Sequence, residues 1–244
     1  MNGMGNMNTA GKLIVIEGPD GSGKKTHAKK LSERLDKEGM SNMQVAFPNY
    51  GSPQCAMVEK YLDPNGGFKN LYGEDNLTYI KQASLFYAID RVATFIDTKN
   101  ETGESLLEML RQGMHIVCDR YTTSNILHQV GNLSHTEHMI PYIDWVQDTE
   151  YYHLGLPKPD LVIFLDVVPE ISMENMRRRY HGKDGVDKHE NMAHLSKVFE
   201  RKDRVIKYCG WEKINCCDDK GKMLPQEVIH KSIFKKVRKV LNQK

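Results

Sequence analysis

The sequence of 244 residues predicts an α/β fold of three layers, in which helices wrap a five-stranded parallel sheet. The first observation is an alternation of helical patterns with short apolar runs, which cover residues 13–16, 43–47, 115–118, 161–165 and 211–216. The second is the near-continuous apolarity of the fourth run, which is typical of a strand buried on both faces. Ligands of such sheets bind beyond the carboxyl ends of the strands, so we expect the functional residues there.

The first apolar run leads into a glycine-rich loop, and a helical pattern over about residues 24–38 follows it. The loop and helix start comprise Gly18, Pro19, Asp20, Gly21, Ser22, Gly23, Lys24, Lys25 and Thr26. The glycines allow successive N–H groups to face phosphate oxygens, the helix N-terminus adds partial positive charge, and Lys24 can reach the phosphates. Lys25 stands where this P-loop pattern places the Mg²⁺-binding Ser or Thr, and Thr26 follows one position later. The pattern predicts a nucleotide-binding site.

Composition and charge limit the classes of partner. The formal net charge is +2, too small for the general basic field that would indicate a nucleic acid polymer. The five cysteines form neither a CxxC pair nor a zinc-like grouping, which favours reduced thiols. No apolar run is long enough to span a membrane, and residues 1–11 read as a flexible N-terminal leader rather than a signal peptide. We expect a cytoplasmic protein with a single domain over residues 12–244, and no membrane or nucleic acid polymer as a partner.

Polar residues follow the third apolar run, where a parallel strand would deliver them to the ligand-binding edge. Asp119 can orient Mg²⁺ or its waters, and Arg120 can hold a phosphate through two hydrogen bonds. Ser124 and Asn125 come shortly after them. An ion pair between Asp119 and Arg120 at the start of a helix is an equally good interpretation at this point.

Tyr87 and Arg91 lie one helical turn apart and share a face of a predicted helix. An aromatic plane and a guanidinium in this arrangement can hold a nucleobase, and stacking on a base is worth about 1 to 3 kcal/mol. The alternative is a core tyrosine beside an arginine whose stem is buried and whose head reaches water.

Two charged segments occupy the second half of the chain. Residues 177–190 carry too many charges and glycines for a core, so we expect a mobile lid with Arg177, Arg178 and Arg179 at its start. Residues 225–241 form an amphipathic helical pattern with a basic face, which is common on a terminal helix that packs on the core, and we assign it no function.

Taken together, these pieces resemble the thymidylate kinases of the nucleoside monophosphate kinase group. The resemblance covers nearly the whole chain from Leu13 onward and rests on five motifs in order. The motifs are Glu17-Gly18-Pro19-Asp20-Gly21-Ser22-Gly23-Lys24, Phe47-Pro48-Asn49-Tyr50, Leu85-Phe86-Tyr87-Ala88-Ile89-Asp90-Arg91, Asp119-Arg120-Tyr121 with Ser124-Asn125, and Leu154-Gly155-Leu156-Pro157-Lys158-Pro159-Asp160.

The resemblance implies a P-loop kinase fold, ATP as the phosphate donor, Mg²⁺ as the cofactor, dTMP as the acceptor and a homodimer. It implies transfer by Lys24, Asp20, Arg120, Arg177 and Arg179, and Mg²⁺ binding by Asp20 and Asp119, directly or through water. Gly21 leaves the phosphate loop without a basic residue at that point, so the chain resembles the members whose assisting arginine lies in the lid.

The resemblance also implies a set of acceptor contacts. Tyr87 would stack on the thymine, Asn125 would contact its polar edge, and Arg120 would hold the monophosphate. The full implied set is Asp20, Phe47, Pro48, Tyr50, Tyr87, Arg91, Arg120, Ser124, Asn125 and His128. Asn49 and His128 stand where some members have arginine and tyrosine, respectively.

Two other functions fit the same motifs. A deoxynucleoside kinase also combines a P-loop, an Asp-Arg motif and lid arginines, and it would phosphorylate thymidine rather than dTMP. A non-catalytic relative that binds nucleotides is the second alternative, because Lys25 replaces the metal-binding hydroxyl.

Overall fold

Within the part of the chain that the structure describes, five parallel strands form one sheet in the order β2-β3-β1-β4-β5. The structure is a computed structural model, and it describes residues 10–63, 76–97, 103–179 and 192–242. Residues 1–9 of the expected leader and residues 180–190 of the expected lid lie outside this range. The strands are β1 (Leu13–Glu17), β2 (Asn42–Ala46), β3 (His115–Asp119), β4 (Leu161–Asp166) and β5 (Glu212–Asn215). The predicted α/β fold with a parallel sheet is confirmed.

Strand β1 lies at the centre of the sheet. Its Ile14 is in register with Val117 of β3 on one side and Leu161 of β4 on the other, and all five of its residues are buried. Each of the five observed strands agrees with the predicted one to within one residue at either end. Strand β5 begins one residue later than predicted, because the Trp211 N–H is bonded to the Ile206 carbonyl at the end of the preceding helix.

The helices of the described residues cover both faces of the sheet. They are α1 (Lys24–Lys37), α2 (Ala56–Leu62), α3 (Leu77–Val92), α4 (Leu106–Arg111), α5 (Thr122–Asn132), α6 (Met139–Gln147), α7 (Pro169–Arg179), α8 (Met192–Cys209) and α9 (Gln226–Leu241). Short 3₁₀ turns cover Pro53–Cys55 and Thr136–His138, and π-helical turns cover Ala93–Asp97 and Asp148–His153.

Alternate residues of β1 point into different cores. Ile14 and Ile16 pack with α1 and α9, whereas Leu13 and Val15 pack on the opposite face with α4 and the residues around it. Because successive side chains of β1 point to opposite faces of the sheet, this strand packs against the helix layers on both sides. Burying a side chain of this size stabilises the fold by about 1.5 to 3 kcal/mol.

The terminal helix α9 packs on this core as its sequence pattern predicts. Ile229, Ile233 and Val237 are buried against the residues of α1 and the sheet. All five cysteines are free thiols. Among the described residues, no helix has the length and apolar character needed to cross a membrane.

Candidate active site

The phosphate loop connects the buried strand β1 to helix α1 at the carboxyl edge of the sheet. Gly23 precedes the helix with a φ of 89°, and Gly21 has a φ of 76°, so both adopt the left-handed conformation that favours glycine. A Cβ atom on Gly21 would lie 2.3 Å from the Ser172 carbonyl oxygen of α7. The loop therefore requires glycine for its backbone turn and for its contact with a neighbouring helix.

Lys24 is buried inside this loop. Its Nζ donates hydrogen bonds to the carbonyl oxygens of Gly18, at 2.9 Å, and Pro19, at 2.8 Å, and lies 3.7 Å from Asp20 Oδ1. Burial, together with the nearby charge of Arg120, lowers the pKa of Lys24 to about 8. Phosphate oxygens can replace these carbonyl groups as acceptors. The next two residues, Lys25 and Thr26, are exposed.

Arg120 follows β3 with a φ of 68°, a conformation uncommon for a residue other than glycine. Its Nη2 pairs with Asp20 Oδ1, and its Nη1 lies 3.2 Å from Ser124 Oγ and 2.8 Å from His128 Nε2. Burial opposes the charge of Arg120, but the negative charges of Asp20 and, with a smaller effect, Glu17 outweigh it and raise the pKa of this residue. The ion pair of Arg120 is thus formed with Asp20 of the phosphate loop, 100 residues earlier, rather than with the adjacent Asp119.

Glu17 has a structural role in the site that sequence reasoning missed. Its buried carboxylate accepts hydrogen bonds from Thr123 Oγ1 and Ser124 Oγ, both at 2.7 Å, and from the Gly18 N–H at 2.9 Å. This single side chain joins the phosphate loop to the first turn of α5. A charged residue at the end of an otherwise apolar strand is the signal that could have revealed it.

Several buried oxygen atoms of the described residues have no hydrogen-bond partner. Among them are Asp119 Oδ1, at the end of β3, and Ser22 Oγ, inside the loop. Buried polar atoms are normally paired, and Mg²⁺ takes oxygen ligands, often through its own waters. The residues present therefore fit a magnesium ion, with Asp119 and the nearby Asp20 as its carboxylates.

A second cluster of polar groups surrounds the buried Glu150. Its carboxylate receives two hydrogen bonds from Arg91, 2.7 Å from Nε and 2.6 Å from Nη2, and a third from Thr122 Oγ1 at 2.7 Å. Only 2% of each charged side chain is exposed. The head of Arg91 does not reach water, in contrast to the alternative that the sequence left open. Burial opposes its charge, but Glu150 raises the pKa of Arg91.

Asn125 belongs to the same cluster. Its amide nitrogen donates to the Ser84 carbonyl oxygen and to Glu150 Oε1, both at 3.1 Å. Because both partners are acceptors, the orientation of the amide is fixed. The Oδ1 atom is buried and has no partner among the described residues. Asn125 therefore offers a hydrogen-bond acceptor to a ligand.

The remaining residues of the predicted acceptor site line the region between β2 and α3. Phe47 is buried, with ring centroids 5.9 Å from Phe95 and 5.8 Å from Tyr121, and Pro48 follows it through a cis peptide bond. Tyr87 meets Tyr61 edge to face at 6.0 Å, and Tyr50 is exposed.

Helix α7 carries the predicted lid arginines and rests on the phosphate loop. Asn175 Nδ2 donates to the Gly21 carbonyl oxygen at 2.9 Å. Arg177 and Arg178 are exposed near the end of this helix, and Arg178 pairs with Glu174 of the same helix. The side chain of Arg179 and residues 180–190 of the predicted lid lie outside the described part of the chain.

The fold and the loop define a class of protein. A buried parallel strand, a glycine loop with an enclosed lysine and a following helix form the phosphate-binding unit of a P-loop nucleotide-binding protein. The sequence model of the thymidylate kinase family matches residues 16–222. The chain belongs to the thymidylate kinase family.

Individual relatives agree with this assignment. A thymidylate kinase of Mycobacterium tuberculosis is 31% identical over 169 residues, which cover 68% of this chain and 71% of that protein. A thymidylate kinase of Plasmodium falciparum is 28% identical over 232 residues, which cover 94% and 91% of the two chains. A solved thymidylate kinase structure from Candida albicans has a TM-score of 0.67 at 22% identity, covering 94% of this chain and 92% of that one, and it shares the fold.

Proposed function

We propose that this protein is a nucleoside monophosphate kinase that transfers the γ-phosphoryl group of ATP to dTMP, yielding ADP and dTDP. Membership of the thymidylate kinase family supports this activity. The observation that carries it is the convergence of Lys24 and Arg120 on one carboxylate, Asp20. Lys24 belongs to the loop for the donor phosphates, and Arg120 comes from the neighbouring strand, so two phosphate-binding cations meet at one place.

The proposed mechanism depends on positioning and charge neutralisation. Phosphoryl transfer needs its two anionic reactants in line, and the protein mainly supplies fixed cations and N–H donors. Lys24 and the loop amides hold the ATP phosphates, and Arg120 holds the dTMP phosphate through its guanidinium. The arginines at the end of α7, Arg177 and Arg179, close over the transferring group.

In this proposal, the carboxylates of Asp20 and Asp119 hold Mg²⁺, directly or through its waters. The unpartnered Asp119 Oδ1 supports this assignment because it provides an oxygen for the ion or its waters. When bound, the ion neutralises negative charge on the phosphates. Lys25, at the position where the loop pattern has the metal-binding hydroxyl, is exposed.

The acceptor base is proposed to bind between Tyr87 and Asn125. The fixed Asn125 amide presents Oδ1, which suits the N3–H donor of thymine or uracil and not the unprotonated N3 of cytosine. Tyr87 supplies a stacking surface, and Arg91 contributes to the same pocket through the Glu150 cluster. Around the sugar and phosphate, Phe47, Pro48, Tyr50, Ser124 and His128 complete the proposed acceptor contacts.

We also infer that two copies of the chain associate through α3. Leu85 and Ile89 lie one turn apart on this helix and are 39% and 54% exposed. A pair of exposed apolar side chains on one helix face is suited to pairing with the same face of a second copy. The five free thiols support a cytoplasmic location.

The test of the proposed activity is a panel of acceptors with Mg²⁺ and ATP, with ADP release as the readout. The panel contains dTMP, dUMP, UMP, CMP, dGMP and thymidine. We expect turnover dominated by dTMP. Phosphorylation of thymidine but not dTMP, or ATP binding without any turnover, would contradict the proposal.

The matched variants are Lys24→Ala and Lys29→Ala. Lys24→Ala removes the buried ammonium and is expected to lower kcat by about a hundredfold or more, because preorganised charges at the reacting phosphates provide effects of this size. Lys29 is exposed on the same helix and pairs with Glu33 at 3.8 Å. Its replacement by Ala removes the same charge and is expected to leave turnover unchanged.

A further inference from the structure

Behind Arg120, a line of hydrogen bonds runs from the site to helix α8. Arg120 Nη1 lies 2.8 Å from His128 Nε2, and His128 Nδ1 lies 3.2 Å from His194 Nε2. His194 Nδ1 lies 3.0 Å from Asn132 Oδ1. Both histidines are buried, with 8% of His128 and 6% of His194 exposed. The proposed acceptor site and mechanism give His194 no role, although it connects His128 to Asn132 in this line.

The chemistry of the first donor sets the direction of every later bond. A guanidinium can only donate, so His128 Nε2 accepts and the proton of its neutral ring lies on Nδ1. That proton is donated to His194 Nε2, which places the proton of His194 on Nδ1 as well. The His194 Nδ1–H then meets Asn132 Oδ1, an acceptor. Asn132 keeps this orientation because its Nδ2 donates to Gln129 Oε1 at 3.1 Å.

All of these contacts agree only when both imidazoles are neutral. A second proton on His128 would oppose the N–H of Arg120, and one on His194 would oppose the N–H of His128. Burial, aided by Lys197 and opposed by Asp20, lowers the pKa of His194 to about 4, so this ring stays neutral near pH 7. The ordered line therefore belongs to the resting state of the protein.

We propose that His194 is a positioning residue for Arg120 and acts through His128. The guanidinium has two sides in the structure: Nη2 meets Asp20, and Nη1 meets Ser124 and His128. A substrate phosphate that displaces Asp20 leaves the second side in place. His194 fixes the ring of His128, and that ring fixes the plane in which Arg120 presents its N–H groups. This inference rests on the proposed function, in which Arg120 holds the acceptor phosphate.

The test uses two amide substitutions of one residue. His194→Gln places an oxygen near the position of Nε2 and keeps an acceptor for His128. His194→Asn reaches only the position of Nδ1 and loses that acceptor. We expect His194→Asn to raise the KM for dTMP by about tenfold, in keeping with a lost hydrogen bond in a charged network, while the KM for ATP stays within about twofold. His194→Gln should stay within about twofold for both substrates.

A role in packing alone predicts a different pattern. His194 also lies close to Gly131, so a defect in packing would lower the thermal stability, more in the smaller Asn variant, and would raise the KM for ATP together with the KM for dTMP. Equal changes in the KM for dTMP, or no change in either variant, would overturn the proposal. Thermal unfolding of each variant shows whether it folds, and the wild type is assayed first, because failure to use dTMP would contradict the proposed function instead.

A second measurement needs neither turnover nor a variant. Long-range ¹H–¹⁵N correlation spectra of the wild-type protein report which ring nitrogen of each histidine carries the proton. We expect the proton on Nδ1 in both His128 and His194 at pH 7. A proton on Nε2 of either ring, or a doubly protonated ring, would overturn the inference whatever the activity assays show.

Discussion

At the scale of single residues, Arg120 has a backbone conformation that costs free energy. A residue other than glycine with a φ of 68° pays about 1 kcal/mol or more. In return, the turn directs the guanidinium from the end of β3 toward Asp20, Ser124 and His128. Strain that persists at a position with this many fixed contacts is typical of functional sites.

The buried residue His27 makes the stability of the protein depend on pH. It lies in the first turns of α1, where burial, with the charges of His230 and Lys30, lowers its pKa to about 4. Between its ordinary value of 6.5 and pH 4, the unfolded chain binds a proton that the native protein does not. The free energy of unfolding therefore falls as the pH falls through this interval. From pH 7 to pH 5, His27 should account for about 1 to 2 kcal/mol of the loss.

Urea unfolding of His27→Gln at pH 7 and pH 5 checks this expectation. The variant should lose less stability on acidification than the wild type by about 1 to 2 kcal/mol. Exposed His153, which contacts Asp148 at 3.1 Å, provides the control variant His153→Gln, in which the same substitution is made outside the core. Parallel acid profiles for wild type and His27→Gln would show that His27 is not responsible.

At the scale of elements, the packing of α7 on the phosphate loop can be tested by comparing Gly21 with Gly39. These glycines have the same backbone conformation, but only Gly21 contacts α7. Gly21 has a φ of 76° and Gly39, after α1, a φ of 75°, so Ala is strained equally at both. A Cβ on Gly39 meets nothing within 4 Å, whereas one on Gly21 meets Ser172 at 2.3 Å. We expect Gly39→Ala to cost about 1 kcal/mol and Gly21→Ala several, because α7 must also move.

Chemical denaturation and ATP titration of both variants measure the two effects. Gly21→Ala should also weaken ATP binding, because the loop and α7 share the displaced contact, whereas Gly39→Ala should bind ATP as the wild type does. Equal losses of stability in the two variants would mean that α7 can move away from the loop at no cost in free energy.

The same elements show what the sequence could predict. The apolar runs predicted all five strands because buried parallel strands leave a nearly continuous apolar pattern. The glycine spacing predicted the phosphate loop because few residues can adopt its backbone angles. Glu150 was not predicted, since its partner Arg91 lies 59 residues earlier in another helix. His194 and Asn175 were missed for the same reason: their contacts are set by how helices pack, which no local pattern records.

At the scale of the whole molecule, association of two copies through α3 predicts that a substitution on this helix lowers the mass of the particle in solution. Ile89→Lys places a charge on the exposed apolar pair and is expected to convert a dimer into a monomer at micromolar concentration, because an unpaired buried charge is costly. Val228 is 48% exposed on α9, a helix that packs on the core through Ile229, Ile233 and Val237, so Val228→Lys is the control.

Sedimentation velocity measures this change. We expect the wild type and Val228→Lys to sediment as dimers, and Ile89→Lys as a monomer that retains the far-UV circular dichroism of the wild type. A monomeric wild type would contradict the dimer, and a dimeric Ile89→Lys would place the contact elsewhere on the surface.

The contacts of Lys24 and Arg120 have a consequence for the choice among anions. The oxygen atoms of Gly18 and Pro19 hold Lys24, and Asp20 pairs with Arg120. Any incoming anion must compete with these internal acceptors. A small ion such as inorganic phosphate replaces one contact and gains little, whereas a nucleotide brings a base and a sugar whose binding offsets the exchange. We therefore expect inorganic phosphate to bind this site more weakly than a nucleotide does, because both cations already have partners within the protein.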